Sequence, residues 1–398
     1  MSLESPWLGV LGAIFVPALG HLYHFILAVN ITSGWGLRET SLARLRLVLL
    51  AILVASAAFL LARHVRDPWW NWVWPLRAYA YLCLVSGGLI LPLTSLGLGM
   101  RRRPDGVAGR SDLIALDEQL GSETMIGTGK GSWLLRLPGN ESFQLLRREW
   151  VLDHPGLPQA LEGLTIVQLS DLHFAPCFRR AFFERVVEAC AEWRADLVVI
   201  TGDLVDADEV IPWIEPVLEP LEARLGKYAI LGNHDAEHQP QRVLGALADA
   251  GFASLEGRWC TMEENGARLA VGGTSAPWGP ALLPGSVPAA DFRILLSHSP
   301  DQFYRARDWG VDLMLAGHNH GGQIRLPALG PVFMPSVYSR RFDRGFFRSG
   351  STFLYVSEGV AGKHPYRYGC PPEICCFVLK GRPEPGHPNE RRGVLQIL

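Results

Sequence analysis

The chain has 398 residues, 48% of them hydrophobic and 19% charged, and its formal net charge is −2. That length exceeds one compact domain on the usual scale, and the near-neutral balance gives no sign of a polyanion-binding surface, so no nucleic-acid partner is expected. The 7 cysteines are odd in number and scattered, which argues against a disulfide scaffold and fits a reducing compartment. The run CPPEICC at 370–376 is read as core or turn cysteines, because no second Cys/His cluster lies near it to complete a soft-metal site.

Residues 1–100 read as a membrane-anchoring region of two to three helices. Three stretches lack formal charge: 5–37, 47–62 and 78–100. A spanning helix needs about 20 apolar residues. The third stretch has the length, and the second is short, with Arg46 and Arg63 at its ends able to snorkel. The first contains Pro17, His21 and His24 and is open to a kinked span or a re-entrant segment. Trp69, Trp70, Trp72 and Trp74 cluster as an interfacial aromatic belt does. Arg38, Arg44, Arg46 and Arg101 to Arg103 lie on one side of three spans, against Arg63, Arg66 and Arg77 on the other. The positive-inside rule then puts the catalytic domain in the cytoplasm of a bacterial inner or plasma membrane protein.

Residues 101–160 read as a basic linker followed by short strands, and GTGKG at 127–131 reads as a turn because it lacks the spacing and the Ser/Thr of a phosphate loop. From 161 to 382 strands and helices alternate, leaving 383–398 as a tail. Strands are expected at 164–169, 196–200, 227–231, 268–272, 292–296, 313–315 and 353–356, with helices at 178–193, 207–225 and 241–250. This rhythm means an α/β fold with a layered sheet. Polar motifs follow the strands directly: SDLH, TGD, GNHD, SHSP and GHNH. Open α/β sheets carry their sites at those carboxyl ends.

The strand-end residues are Asp171, His173, Asp203, Asn233, His234, His298, His318 and His320. Hard oxygens mixed with imidazoles, and no thiolate, suit Mn, Fe or Zn. Eight such groups exceed what one ion needs. A bridging carboxylate would allow a pair of ions about 3.5–4 Å apart, the usual arrangement for phosphoester hydrolysis.

The motifs DLH, GD, GNHD, SH and GHNH, in this order, resemble the calcineurin-like metallophosphoesterase superfamily, over about residues 164–379. The late PPEI at 371–374 and GHNHGGQ at 317–323 resemble its membrane-linked bacterial branch, which usually has Thr where this chain has Asn319. The resemblance implies a layered β-sandwich flanked by helices, preceded here by the transmembrane helices. It implies two divalent ions, manganese favoured. Asp171, His173, Asp203 and His320 would hold one; Asp203, Asn233, His298 and His318 would hold the other. His234 would act on the leaving oxygen, oriented by Asp235. Beyond these, Arg367 and His364 are candidates for substrate phosphate, with a surface salt bridge the equal alternative for Arg367. His238 reads first as a solvated helix start and second as a cleft residue, and Trp278 and Trp309 are either groove or core residues.

The expected activity is hydrolysis of a phosphodiester or pyrophosphate bond at the membrane. The branch suggests a lipid or lipid precursor such as UDP-2,3-diacylglucosamine as substrate. A broad phosphomonoesterase or phosphoprotein phosphatase is the alternative. An idle scaffold would need damaged ligands, and the motifs are complete.

Overall fold

The computed structural model describes residues 6–381, with side chains from residue 14 onward; the expected tail at 383–398 lies outside the described residues. Three helical units come first: α1 (Pro6–Ser33), α2 (Glu39–Arg66), and α3 (Trp74–Val85), which continues through a π-turn (Ser86–Ile90) into α4 (Leu91–Met100). Each unit is long and apolar enough to cross a membrane. At about 1.5 Å per residue, α2 alone spans about 42 Å. Its apolar side chains face outward, with Leu47 66% and Ile52 58% exposed, the reverse of a soluble core helix. The helices pack through small residues, since a Cβ at Gly20 would strike Cys83 and one at Gly87 would strike the carbonyl of Val16. His21 and His24 serve this packing. His21 Nδ1 lies 2.5 Å from the Tyr79 hydroxyl, and His24 Nε2 lies 2.8 Å from Ser86 Oγ.

The remainder is a sandwich of two sheets. The strands are β1 (Val107–Ala115), β2 (Gln144–His154), β3 (Thr165–Leu169), β4 (Leu197–Thr201), β5 (Gly226–Ile230), β6 (Ala253–Ser254), β7 (Arg258–Glu264), β8 (Ala267–Thr274), β9 (Phe292–Ser297), β10 (Leu313–Ala316), β11 (Arg325–Leu326), β12 (Gly330–Pro331), β13 (Gly345–Ser349), β14 (Thr352–Val356) and β15 (Glu373–Gly381). One sheet runs β1-β2-β15-β3-β4-β5-β6 and the other β13-β14-β10-β9-β8-β7; β11 and β12 form a separate ribbon. Strands β3 to β6 are mutually parallel, as are β8, β9, β10 and β14.

Strand alternation builds the layers. Ile166, Leu197, Val199, Ile294, Leu313 and Leu315 meet between the sheets. Their neighbours Val167, Leu169, Val198 and Ile200 face the helix Arg180–Ala191, packing on Phe182, Phe183 and Val186. Met314 and Ala316 face the opposite way, onto Phe303 and Ala306. The layered sandwich flanked by helices is therefore present as expected.

Two expectations are corrected. The segment 101–160 is more than a linker with short strands. Its β2 is 11 residues long and pairs in parallel with β15, placing β1 and β2 inside the larger sheet. The sequence around β2 (QLLRREWVLDH) carries charges that blur the two-residue period. The single helix expected over 207–225 is instead a 3-10 turn (Asp208–Trp213) and one short helix (Ile214–Leu218). Pro212, Pro216 and Pro220 remove donors and crowd the preceding turn. All seven cysteines are free, and Cys370, Cys375 and Cys376 are buried.

Candidate metal centre

Five loops leave the carboxyl ends of β3, β4, β5, β9 and β10 and meet in one cleft. They carry Asp171 and His173, Asp203, Asn233 and His234, His298, and His318 and His320 respectively. Bringing so many polar groups together strains the backbone. Asp171, His173, Asp203, His318 and His320 all have φ between 43° and 69°, a region costing non-glycine residues of order 1–3 kcal/mol each. Two glycines make the approach possible. A Cβ at Gly317 would collide with Ser170 and the Asp171 carboxylate, and one at Gly232 with the Asp203 carboxylate.

The imidazoles are held from behind. His298 Nδ1 lies 2.8 Å from the Thr201 carbonyl, and His320 Nδ1 lies 3.0 Å from the Ala361 carbonyl. A carbonyl only accepts, so Nδ1 carries the proton and Nε2 of the neutral ring presents a lone pair to the cleft. His173 Nδ1 meets Asp206 Oδ1 at 2.9 Å in the same way. The inward atoms then crowd one another. His173 Nε2 is 3.2 Å from His320 Nε2, and His318 Nδ1 is 3.1 Å from His298 Nε2. Asp203 Oδ2 lies 3.5 Å from His173 Nε2 and 3.3 Å from His298 Nε2, between the two groups, while Oδ1 accepts from the His234 amide. Asn233 Oδ1 lies 3.0 Å from His298 Nε2.

Lone pairs at these distances repel unless positive charge sits among them. Burial and neighbouring His298 hold His318 well below its ordinary pKa, and burial with neighbouring His173 does the same for His320. Both rings are therefore neutral donors at physiological pH. Burial opposes charge on His298, but the carboxylates of Asp203 and Asp171 outweigh it and raise that pKa to about 9. Divalent cations answer both demands, and the oxygen-plus-imidazole donor set fits them. Asp171, His173, Asp203 and His320 form one group able to hold an ion, and Asp203, His298 and His318 another, with Asp203 common to both.

A calcineurin-like phosphoesterase family model matches residues 164–322. The Bacillus subtilis metallophosphoesterase YkuE is 33% identical over 234 residues, covering 56% of this chain and 82% of that protein. The chain belongs to the calcineurin-like phosphoesterase family. As a metallophosphoesterase it is a metal-dependent hydrolase of phosphoesters. It is also similar to the phosphodiesterase YaeI of Escherichia coli, at 30% identity over 54% of this chain and 81% of that one. The UDP-2,3-diacylglucosamine pyrophosphatase LpxG of Chlamydia muridarum is 27% identical over 58% of this chain and 88% of LpxG.

The structure of this metallophosphoesterase departs from the sequence expectations at the residues around the donors. Asp235 does not reach the His234 ring. Its carboxylate accepts the amides of Leu204, Val205 and Gly232 and so ties the β4 and β5 loops together. Asp206 takes the orienting place, with Oδ1 2.6 Å from His234 Nδ1. Sequence reasoning passed over Asp206, although its position three residues after Asp203 was visible. Burial opposes charge on His234, but Asp203 and Asp206 outweigh it and raise its pKa to about 10. Arg367 is 1% exposed, and its guanidinium donates to the carbonyls of Glu358, Ala361 and Cys370. It braces the loop whose Ala361 carbonyl holds His320, and it does not line the cleft.

Trp278 does line the cleft, 4.6 Å from the His318 ring between centroids, whereas Trp309 packs on the outer core. His364 lines the cleft mouth, and His238 pairs with Asp208 at 3.2 Å outside it. Asn319 is buried and donates to the Phe342 carbonyl, facing away from the donors. The cleft opens into a cavity of about 540 Å³ whose far wall is Val29, Leu42 and Arg46 of α1 and α2.

Proposed function

We propose that this protein is a membrane-anchored, two-metal phosphohydrolase that cleaves a phosphodiester or pyrophosphate bond in a lipid or lipid-precursor substrate. The reading rests chiefly on one observation. The cavity over the donor cluster is walled by the ends of α1 and α2 and by Ile324, Leu326, Phe333 and Met334, of which Phe333 is 53% exposed. A polar centre roofed by membrane helices suits a substrate with a phosphoryl group at one end and an acyl chain at the other.

Asp171, His173, Asp203 and His320 would hold one ion, and Asp203, Asn233, His298 and His318 the second, manganese being the favoured metal. Bound there, the pair would supply an activated water and neutralise the phosphoryl oxygens. His234 donates its proton from Nε2 to the leaving oxygen. Asp206 fixes the ring through Nδ1 and stabilises the imidazolium. Asp203 and Asp171 accept the His234 and His318 amides and thereby lock their own carboxylates. Trp278 excludes water beside His318.

Three spans put the α1–α2 connection and the end of α4 on one face. Both touch the catalytic region, through Glu39 with Lys363 at 3.1 Å and Arg101 with Asp343. With the arginine-rich segments on that face, the catalytic domain is assigned to the cytoplasm.

The name of LpxG supplies the first substrate to try. Full-length protein in detergent with Mn²⁺ should release UMP from UDP-2,3-diacylglucosamine, and Asp203→Asn should not. Turnover of a soluble diester without UMP release removes this substrate but keeps the reaction. Loss of both overturns the proposal.

A further inference from the structure

A second concavity lies where α4 ends, and it shares no lining residue with the metal cleft. Its volume is about 280 Å³. Six arginines surround it: Arg101, Arg102 and Arg103 from the end of the last span, Arg148 from β2, Arg325 from β11 and Arg344 beside β13. Three carboxylates stand against them. Glu358 takes Arg148 at 2.5 Å and Arg344 at 2.6 Å. Glu373 lies 2.7 Å from Arg148 Nε. Asp343 takes Arg101, and Arg325 at 2.9 Å. All three acids are buried, so they position the guanidinium groups but leave three positive charges uncompensated at the mouth. Among the described residues, Arg102 and Arg103 form no ion pair with any carboxylate. Arg103 stacks over the Trp150 ring at 4.7 Å, and the buried Trp150 indole N–H has no hydrogen-bond acceptor.

Unspent guanidinium donors around one hollow call for a compact anion with several acceptor oxygens. Phosphate matches the arginine fork bidentately. The position selects its source. Leu98 of α4 lines the same hollow, and the arginines follow a helix long enough to span the bilayer. The hollow therefore lies in the headgroup layer, where basic pockets beside helix ends meet anionic lipids. We propose that this pocket binds the phosphate headgroup of an anionic phospholipid, separately from the substrate in the metal cleft.

The test uses full-length protein in detergent and follows its melting temperature. The probes are dihexanoyl phosphatidylglycerol, dihexanoyl phosphatidylcholine and inorganic phosphate, each with wild type and with Arg102→Gln/Arg103→Gln. Both side chains are exposed and outside the ion-pair network, so the double variant should fold and hydrolyse a soluble diester at the wild-type rate. Phosphatidylglycerol should give a saturable rise in wild type, with half-saturation about 30-fold higher in the double variant, from roughly one lost surface interaction per arginine. Phosphatidylcholine should give no such arginine-dependent rise. The proposal is overturned by equal half-saturation in the two proteins or by no rise with phosphatidylglycerol. It is equally overturned if inorganic phosphate reproduces the arginine-dependent rise, which would make this a free-phosphate site. None of these outcomes depends on whether the metal cleft cleaves a lipid.

Discussion

The metal cleft and the arginine pocket are opposite solutions to burying charge in one sandwich. In the cleft, lone pairs outnumber protons, and two carboxylates and four imidazoles converge within a few ångströms. In the pocket, guanidinium groups outnumber acids, and the surplus is left at the mouth. One hollow demands cations and the other an anion. They meet at one loop. Arg325 of the pocket donates to the Gly321 carbonyl at 2.7 Å. Cys370 lies between Glu358 of the pocket at 2.8 Å and the His320 carbonyl of the cleft at 3.1 Å. The contrast teaches that buried charge is tolerated where each group has a fixed partner, and that the unpartnered remainder marks what each hollow accepts.

The sharpest way to break this contrast is to remove the carboxylate shared by both donor groups. Asp203→Asn should strip bound metal from both positions and cost roughly a thousandfold in kcat/KM on a soluble diester, since metal stabilisation is worth several kcal/mol. Metal analysis of the purified variant checks this, and wild-type metal content would refute the shared-bridge geometry.

The next test separates two neighbouring acids. Asp206→Asn should lower kcat by about a hundredfold, the size of a lost general-acid contribution. Asp235→Asn should instead lose about 1–3 kcal/mol of stability, because a buried amide donor would face the Gly232 amide. Rates and denaturation curves on both variants distinguish orienting from bracing.

Arg367→Met should lower stability by roughly 3 kcal/mol through the carbonyls it leaves unpaired, with KM for substrate unchanged once the protein is folded. A raised KM with unchanged stability would return Arg367 to the substrate.

The smallest effect is on pH. His318 and His320 have folded pKa values below the unfolded value of 6.5. Below 6.5 the unfolded chain therefore binds more protons, and stability is present above that pH and lost as pH falls through it. His298 and His234, with raised pKa values, act in the opposite sense on stability, so the readout is metal. Lowering pH from 7.5 to 5.5 should reduce bound metal, because the ligand imidazoles must be neutral to bind it. Burial opposes charge on Arg148, but Glu373 and Glu358 outweigh it and raise its pKa. Anion binding in the arginine pocket should thus stay constant over the same range, as lipid titrations at the two pH values would reveal.

Much of the cleft was legible because each donor follows its own strand. Short apolar runs ending in DLH, GD, GNHD, SH and GHNH fix both the strand and the side of the sheet on which its polar residue emerges. The neighbours were harder to read. Asp206 and Asp235 are each an acid near a ligand, and only the fold shows that one reaches His234 while the other is spent on backbone amides. Arg367 looked free in PYRYG, yet the loop folds around it. The charged run of β2 concealed a sheet strand, and the prolines at 212, 216 and 220 broke a helix that periodicity alone supported.

The sequence by itself determined the apolar helices, the α/β rhythm and the set of metal-binding residue types, because these depend on local period and on chemistry carried by single residues. Only the tertiary structure decided which acid orients His234, that α1 and α2 roof the cleft, and that arginines from positions 101 to 344 surround one hollow. Those outcomes depend on contacts between residues tens to hundreds of positions apart, where pairing is settled by how the sheets and helices pack.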